Sequence, residues 1–218
     1  MTDRRYNFVI PPGWLRLDLR GELEPEVRRF ADVLLVDAPR DRVAAARAAL
    51  VRQITSLASA AKADGVLDLV LPVMSVDGST ANASFAVTAF DTADLDPVDV
   101  IAGIASTDAS ATLIEVADLV ALRTEEAVAS DPDAVRATVI EMATDAGAAT
   151  DSPGTPEPVL PELVSRRVRH YLGHPERPDD WIIAMLSVMQ ADTESSRNLS
   201  QTMVDLFDQV VLTMRFEQ

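Results

Sequence analysis

The chain has no cysteine, which removes disulfides, thiolate nucleophiles and every cysteine-based metal site. Lipid attachment through an N-terminal cysteine is excluded for the same reason. Two histidines, His170 and His174, and one lysine, Lys62, are present; the other cations are arginines. Together with the many alanines, that bias reads as coding from a GC-rich genome. Glycine is scarce, with eight residues spread along the chain, so neither a Walker nor a Rossmann phosphate loop is spelled out. A GxSxG nucleophile elbow is also missing. No apolar run approaches the roughly 20 residues of a membrane-spanning helix. The opening MTDRRYNFVIPPGW has no continuous apolar core and no small-residue cleavage site, so no secretory signal is expected there. These absences lead us to expect a cytoplasmic protein without a membrane span, with no cofactor and no catalytic role.

What is present is an ample apolar fraction, 48% of 218 residues, enough to bury a sizeable core and to exclude global disorder. Length favours one domain over two. The formal charge of −16 and a sequence pI near 4.4 repel phosphate backbones, so nucleic acid and anionic membranes are poor partners. A basic protein surface would be drawn in. The same acidity also serves solubility.

FVIPPGWLRLDL, from Phe8 to Leu19, joins two short apolar runs through two prolines and a glycine. Proline ends a strand because it lacks a ladder donor and holds its predecessor extended. Gly13 tolerates the positive φ of a tight corner. A polyproline ligand would instead sit in a flexible segment with repeated PxxP spacing. The stretch is therefore read as a corner between strands Asn7–Ile10 and Leu15–Leu19, with Trp14 buried under the last helix, against Leu206, Phe207 and Val210. Helices follow at Glu24–Leu35 and about Asp41–Lys62, the second capped by Asp41 and stopped by Gly65. Leu67, Leu69, Leu71 and Val73 then alternate, Asp77-Gly78 turns, and Ala83, Phe85, Val87 and Ala89 alternate back, a strong hairpin signal.

Asp96-Pro97 opens a short helix to Ser106. Strands follow at Thr112–Val116 and Leu119–Ala127, with a turn at Ala117-Asp118. Residues 128 to 162 read as an acidic, proline-rich insert, in which Asp131-Pro132 could cap a helix over Val135, Val139 and Met142. Order returns in VSRRVRHYL (Val164–Leu172) and in WIIAMLSVM (Trp181–Met189), which is apolar on both sides and so should be a central strand covered on both faces. Thr193–Met214 is a strongly amphipathic helix with Leu199, Met203, Leu206, Phe207, Val210 and Met214 on one stripe. The sum is a single α+β domain over 1–218, with a central antiparallel sheet, helices on both faces, and the insert at about 128–162.

Few residues offer chemistry. His170 and His174 have HxxxH spacing, yet the first lies on a strand and the second in a loop, with only Glu176, Asp179 and Asp180 near enough to complete a zinc site. We expect two partly exposed imidazoles and no metal. DTADLDPVD, residues 91 to 99, gathers four aspartates but lacks the glycine and final glutamate of a calcium loop; Asp96 is explained as a helix cap. Arg166, Arg167 and Arg169 form the one dense basic patch. Alternation places Arg167 and Arg169 on the face of Tyr171, and Arg166 with Val168. With Tyr171 they are the candidate partner-binding residues, able to grip a carboxylate or acidic peptide. The structural alternative pairs them with Glu125, Glu126 or the acidic insert.

The PPGW corner (Pro11–Trp14), the Tyr171–Trp181 strand pair with its Tyr-Leu-x-x-Pro pattern, and the closing Leu206–Phe216 helix running into an Arg-aromatic end carry a family resemblance. The chain resembles the PsbP-like superfamily, which includes the photosystem subunit PsbP, the yeast Ran-binding Mog protein and DcrB-type lipoproteins; more narrowly it is similar to uncharacterised actinobacterial members. The resemblance covers roughly 5–127 and 163–216, and its motifs are structural. It departs in lacking the signal or lipid-attachment cysteine of several relatives, and in having the acidic insert. It implies binding and assembly work rather than chemistry. The expected function is a non-catalytic cytoplasmic protein-binding adaptor, assembly factor or chaperone-like protein of unassigned oligomeric state, with a secretion-linked or immunity-like role as its specific forms. The alternative is a small-molecule or lipid-binding domain with a cavity between sheet and helices.

Overall fold

The computed structural model describes residues 6–36, 43–73, 75–76, 79–80, 82–90, 96–117, 119–129, 163–177 and 180–217. In chain order the elements are β1 (Tyr6–Asn7), β2 (Trp14–Asp18), α1 (Leu23–Leu34), α2 (Val43–Ala63), β3 (Val66–Pro72), β4 (Ser75–Val76), β5 (Ser79–Thr80) and β6 (Ala83–Phe90). They continue with α3 (Pro97–Thr107), β7 (Thr112–Val116), β8 (Leu119–Ala129), β9 (Leu163–Gly173), β10 (Trp181–Ala191), α4 (Glu194–Leu212) and β11 (Arg215–Phe216). Seven strands form one sheet in the order β2-β3-β6-β10-β9-β8-β7, and every pairing is antiparallel. The fold is α+β, with helices on both faces of the sheet. The Asp41 cap, the Asp77-Gly78 turn, Asp118 and the insert's helix all fall outside the described residues.

PPGW is a corner. Gly13 adopts φ +79, the Trp14 N–H donates to the Pro11 carbonyl at 3.2 Å, and the Val73 N–H donates to the Gly13 carbonyl at 2.8 Å. The first strand is shorter than alternation suggests, because only Tyr6 and Asn7 find a partner, in β11 at the other end of the chain. Trp14 packs against the α4-side core beside Leu206, Phe207 and Val210, but it is half-buried, not buried. The reason is position: β2 is an outer strand, so one side of the indole has no neighbouring strand to cover it.

Two apolar layers result. On one face Leu17, Leu19, Leu69 and Ala86 meet Val27 and Phe30 of α1 and Ile54 and Ala58 of α2. On the other, Phe85, Val87, Ile182, Leu186 and Leu172 lie under Val204, Phe207 and Val211 of α4. A register shift between Val66 and Asp68 is a bulge of the kind that turns one residue to the other face. Leu67 therefore joins the α4 side, while Leu69, Leu71 and Val73 face α1 and α2.

β10 is the fourth of seven strands, as its doubly apolar sequence requires. Its α4-facing residues Ile182, Ala184, Leu186 and Val188 are buried, whereas Ile183, Met185 and Met189 are only half-buried. α3 carries the chain from β6 to β7, past β10, β9 and β8. Asp96 caps it, accepting from the Val98 N–H at 2.8 Å. At its other end the Asp108 N–H donates to the Ile104 carbonyl at 2.9 Å. On the sheet face away from α4, Leu122 and Tyr171 are buried cross-strand partners.

α4 begins at Thr193, whose hydroxyl accepts from the Ser196 N–H at 3.2 Å. Its buried stripe is Ser200, Val204, Phe207, Val210 and Val211. Of the stripe read from the large apolar residues, Phe207, Val210 and Met214 are buried and Met203 packs against them, whereas Leu199 is 43% exposed. In the first turns the buried position is Ser200, and a small serine carries no hydropathy signal.

Candidate functional site

Pairing along β9 places each predicted residue. Arg166, Val168 and His170 turn toward α4, and Arg167, Arg169 and Tyr171 turn the other way, as alternation required. All three arginines meet carboxylates of β8. Arg166 Nε donates to Glu125 at 2.6 Å. Arg169 Nη2 donates to Glu126 at 2.5 Å, and Arg167 Nη1 reaches the same carboxylate at 3.5 Å. Tyr171 is buried with Phe90 edge-on at 5.5 Å. The four residues are therefore split between two faces and do not form one patch.

Arg166 belongs to a larger constellation. On the α4 face Glu125 lies between Arg166 and Arg123, whose Nη2 is 3.0 Å away. Arg123 Nε also donates to Asp208 of α4 at 3.2 Å, and Asp208 approaches His170 Nε2 at 3.2 Å. Burial works against the charge of Glu125, but Arg166 and Arg123 outweigh it and hold the carboxyl below its usual range. Asp208 behaves alike, with His170 and Arg123 overcoming desolvation. His170 is depressed, because desolvation exceeds the pull of Asp208, so its imidazole is neutral at neutral pH.

Beside this chain of charges opens a groove of about 620 Å³. Arg123, Glu125 and Arg166 contribute from β8 and β9, Gln190 from β10, Arg197 and Gln201 from α4, and Ser110 from the loop before β7. Ser110 fixes the strand next to it, its hydroxyl accepting from the Glu125 N–H at 2.8 Å and donating to Asp108 at 2.7 Å. Guanidinium edges and amides that face an open cleft can hydrogen-bond carboxylates and peptide carbonyls. Sequence reasoning found Arg166 but missed Arg123, Gln190, Arg197 and Gln201, which come from separated segments and meet only in the fold.

The histidines correct an expectation. Both are buried, not partly exposed: His170 at 0% and His174 at 7%. His170 lies on the α4 side of β9, with Phe207 at 5.2 Å between ring centroids, and His174 packs on Phe216 at 4.8 Å. The His174 Nδ1 accepts from the Glu176 N–H at 3.1 Å. No group of three or more acidic or histidine side chains suited to a metal ion occurs among the described residues. Asp91 and Asp94 of the aspartate run lie outside them, and Asp96 is the α3 cap.

A second charged cluster was not anticipated. Asp68, fully buried in β3, accepts two bonds from Arg16, at 2.6 Å from Nε and 2.7 Å from Nη2, and a third from the Tyr6 hydroxyl. Burial, then the neighbouring Asp68 charge, push the Tyr6 phenol far up. The sequence clue was an aspartate within VLDLVLP and an arginine within WLRLD, charges inside apolar strands; in the register Asp68 pairs with Asp18 and Arg16 with Val70, so the two meet diagonally. Between the corner and α4 the free space is about 20 Å³, room for about one water and far short of a lipid chain. No helix among the described residues is long and apolar enough to cross a membrane. No protein-family model, curated protein or solved structure matches the chain.

Proposed function

We propose that the protein is a non-catalytic, cytoplasmic protein-binding adaptor or assembly factor, of PsbP-like kinship, and that the groove between α4 and β8–β10 receives its partner. The observation that supports this reading is the groove itself: about 620 Å³ of open space walled by Arg123, Glu125 and Arg166, which hold one another in place, and by Gln190, Arg197 and Gln201. Such a wall suits a polar peptide segment whose carboxylates and carbonyls meet the guanidinium edges. It suits a catalytic site poorly, since His170 is sealed beneath α4 and reaches no solvent. The chain's charge of −16 would steer a partner with a basic surface toward it, and the docking segment would then use the local arginines.

The test compares affinity capture by the wild-type chain with that by an Arg166→Glu/Arg197→Glu variant. Proteins held by the groove should be depleted with that variant and retained with Arg28→Glu, a surface change on α1. Identical partner sets for all three chains would refute the groove reading.

A further inference from the structure

The sheet ends in two outer strands, β2 and β7, and they are finished differently. β2 follows Pro11 and Pro12, and Arg29 of α1 reaches across to donate to the Arg16 carbonyl at 2.7 Å. Prolines and arginines of this kind protect a sheet edge from further pairing. β7, with sequence TLIEV, carries no proline, lysine or bulge. It pairs only with β8, and no described residue bonds to its outer edge. On one face of this edge Leu113 is 70% exposed and Val120 of β8 62% exposed. Glu115 pairs in register with Val120, and Leu113 with Leu122, so Leu113, Glu115 and Val120 are neighbours on that face. Glu115 is exposed and makes no ion pair among the described residues, unlike Glu125 and Glu126 on β8.

We propose that the β7 edge accepts one extended strand from a protein partner whose residues alternate apolar and basic. The backbone edge, unpaired among the described residues, supplies ladder hydrogen bonds, as in strand addition generally. An apolar side chain of the incoming strand covers Leu113 and Val120, and a lysine or arginine two positions along pairs with Glu115. Charge decides against a second copy of this chain. Antiparallel self-pairing centred on Ile114 sets each Leu113 opposite the other copy's Glu115, and joins two chains of −16 each. This surface is separate from the α4 groove, and its test does not depend on it.

The probe is a capped, fluorescent peptide of about nine residues, a length suited to one strand, alternating valine and lysine. Its binding is read by anisotropy at physiological salt. Grouping its lysines at one end, or methylating the backbone nitrogens of one edge, should weaken binding by about tenfold or more. The Leu113→Lys/Glu115→Lys variant should lose affinity to a similar degree with an unchanged melting temperature, since both side chains are exposed. The Arg166→Glu/Arg197→Glu variant should bind the peptide as the wild type does. Absence of binding overturns the proposal. So does equal binding by the grouped peptide or by the edge variant, which would mean attraction to an acidic surface alone. A dimer of the free chain that the edge variant abolishes would also overturn it, in favour of a second copy.

Discussion

Two arginine–carboxylate clusters occupy the α4 face of one sheet, at opposite ends, and they differ in what covers them. At the β2–β3 end Asp68 has no solvent exposure, and Arg16 closes on it with two hydrogen bonds while its guanidinium lies over the ring of Phe8. At the β8–β9 end Glu125 and Asp208 keep 27% and 30% of their side chains exposed and share Arg123, with Arg166 on the far side of Glu125. The same residue types thus do different work. The sealed carboxylate of Asp68 has no route to a partner and fixes how β1, β2 and β3 meet. Charges left at a groove are positioned by one another and still face solvent.

The sharpest way to break this comparison is to remove one carboxylate at each end. Asp68→Ala leaves the buried Tyr6 hydroxyl and the half-buried Arg16 without their acceptor, and a loss of about 3 kcal/mol is expected, near the low end for one partner of a buried pair. Glu125→Ala should cost about 1 kcal/mol, because water in the groove can take over from it. Urea denaturation of the two variants measures both. Similar losses would show that the two clusters are equally structural and would remove the support for the groove.

Next in size is Trp14, at the rim of the sealed end. Full burial of the indole would put Trp14→Ala at about 3–5 kcal/mol. Because the ring is half-buried, a loss of about 2–3 kcal/mol is expected, read by thermal melting against the transfer cost of the area it buries. An unchanged melt would mean the corner does not rest on α4 at all.

Much of the fold was legible because strong local signals agreed with one another. Gly13 and Gly65 both take positive φ, Asp96 caps α3, and the doubly apolar WIIAMLSVM sits in the middle of the sheet. The errors have physical causes. Outer-strand position cannot be read from Trp14's neighbours in sequence, and the buried row of α4 runs through Ser200, which hydropathy scores as polar. The bulge at Val66–Asp68 shifts Leu67 to the other face with no sequence mark. For the groove, only Arg166 lay in a visible cluster. Arg123, Gln190 and Arg197 are single polar residues on three other segments, and nothing in their local spacing announces that β8, β10 and α4 bring them together.

His170 lies inside the core, without solvent exposure, yet touches Asp208 of the open cluster. Its folded pKa is depressed by burial, so the unfolded chain takes up a proton at about pH 6.5 while the folded chain does not. The contribution is present above that value and lost as pH falls below it, because the unfolded state then binds more protons. Stability should therefore decline from about pH 6.5 downward, before Glu125 and Asp208 begin to titrate. His170→Gln should flatten that part of the curve, with stability measured by urea titrations across the range. A slope equal to that of the wild type would show that His170 is not held neutral.

The smallest effect is expected on the opposite face, at Glu126. Its carboxylate is lowered first by Arg169 and then by Arg167, against little desolvation, and its side chain is 39% exposed. Water competes for all three groups, so Glu126→Gln should cost about 0.5 kcal/mol, the usual worth of a surface pair. Salt separates this pair from the sealed one. At about 1 M salt the screening length is near 3 Å, and the cost of Glu126→Gln should fall toward zero. The cost of Asp68→Ala should persist, because no ion can enter beside a carboxylate without solvent contact. A Glu126 cost that survives high salt would place Arg167 and Arg169 among the structural arginines, whereas its loss leaves their guanidinium edges able to exchange Glu126 for a partner's carboxylate.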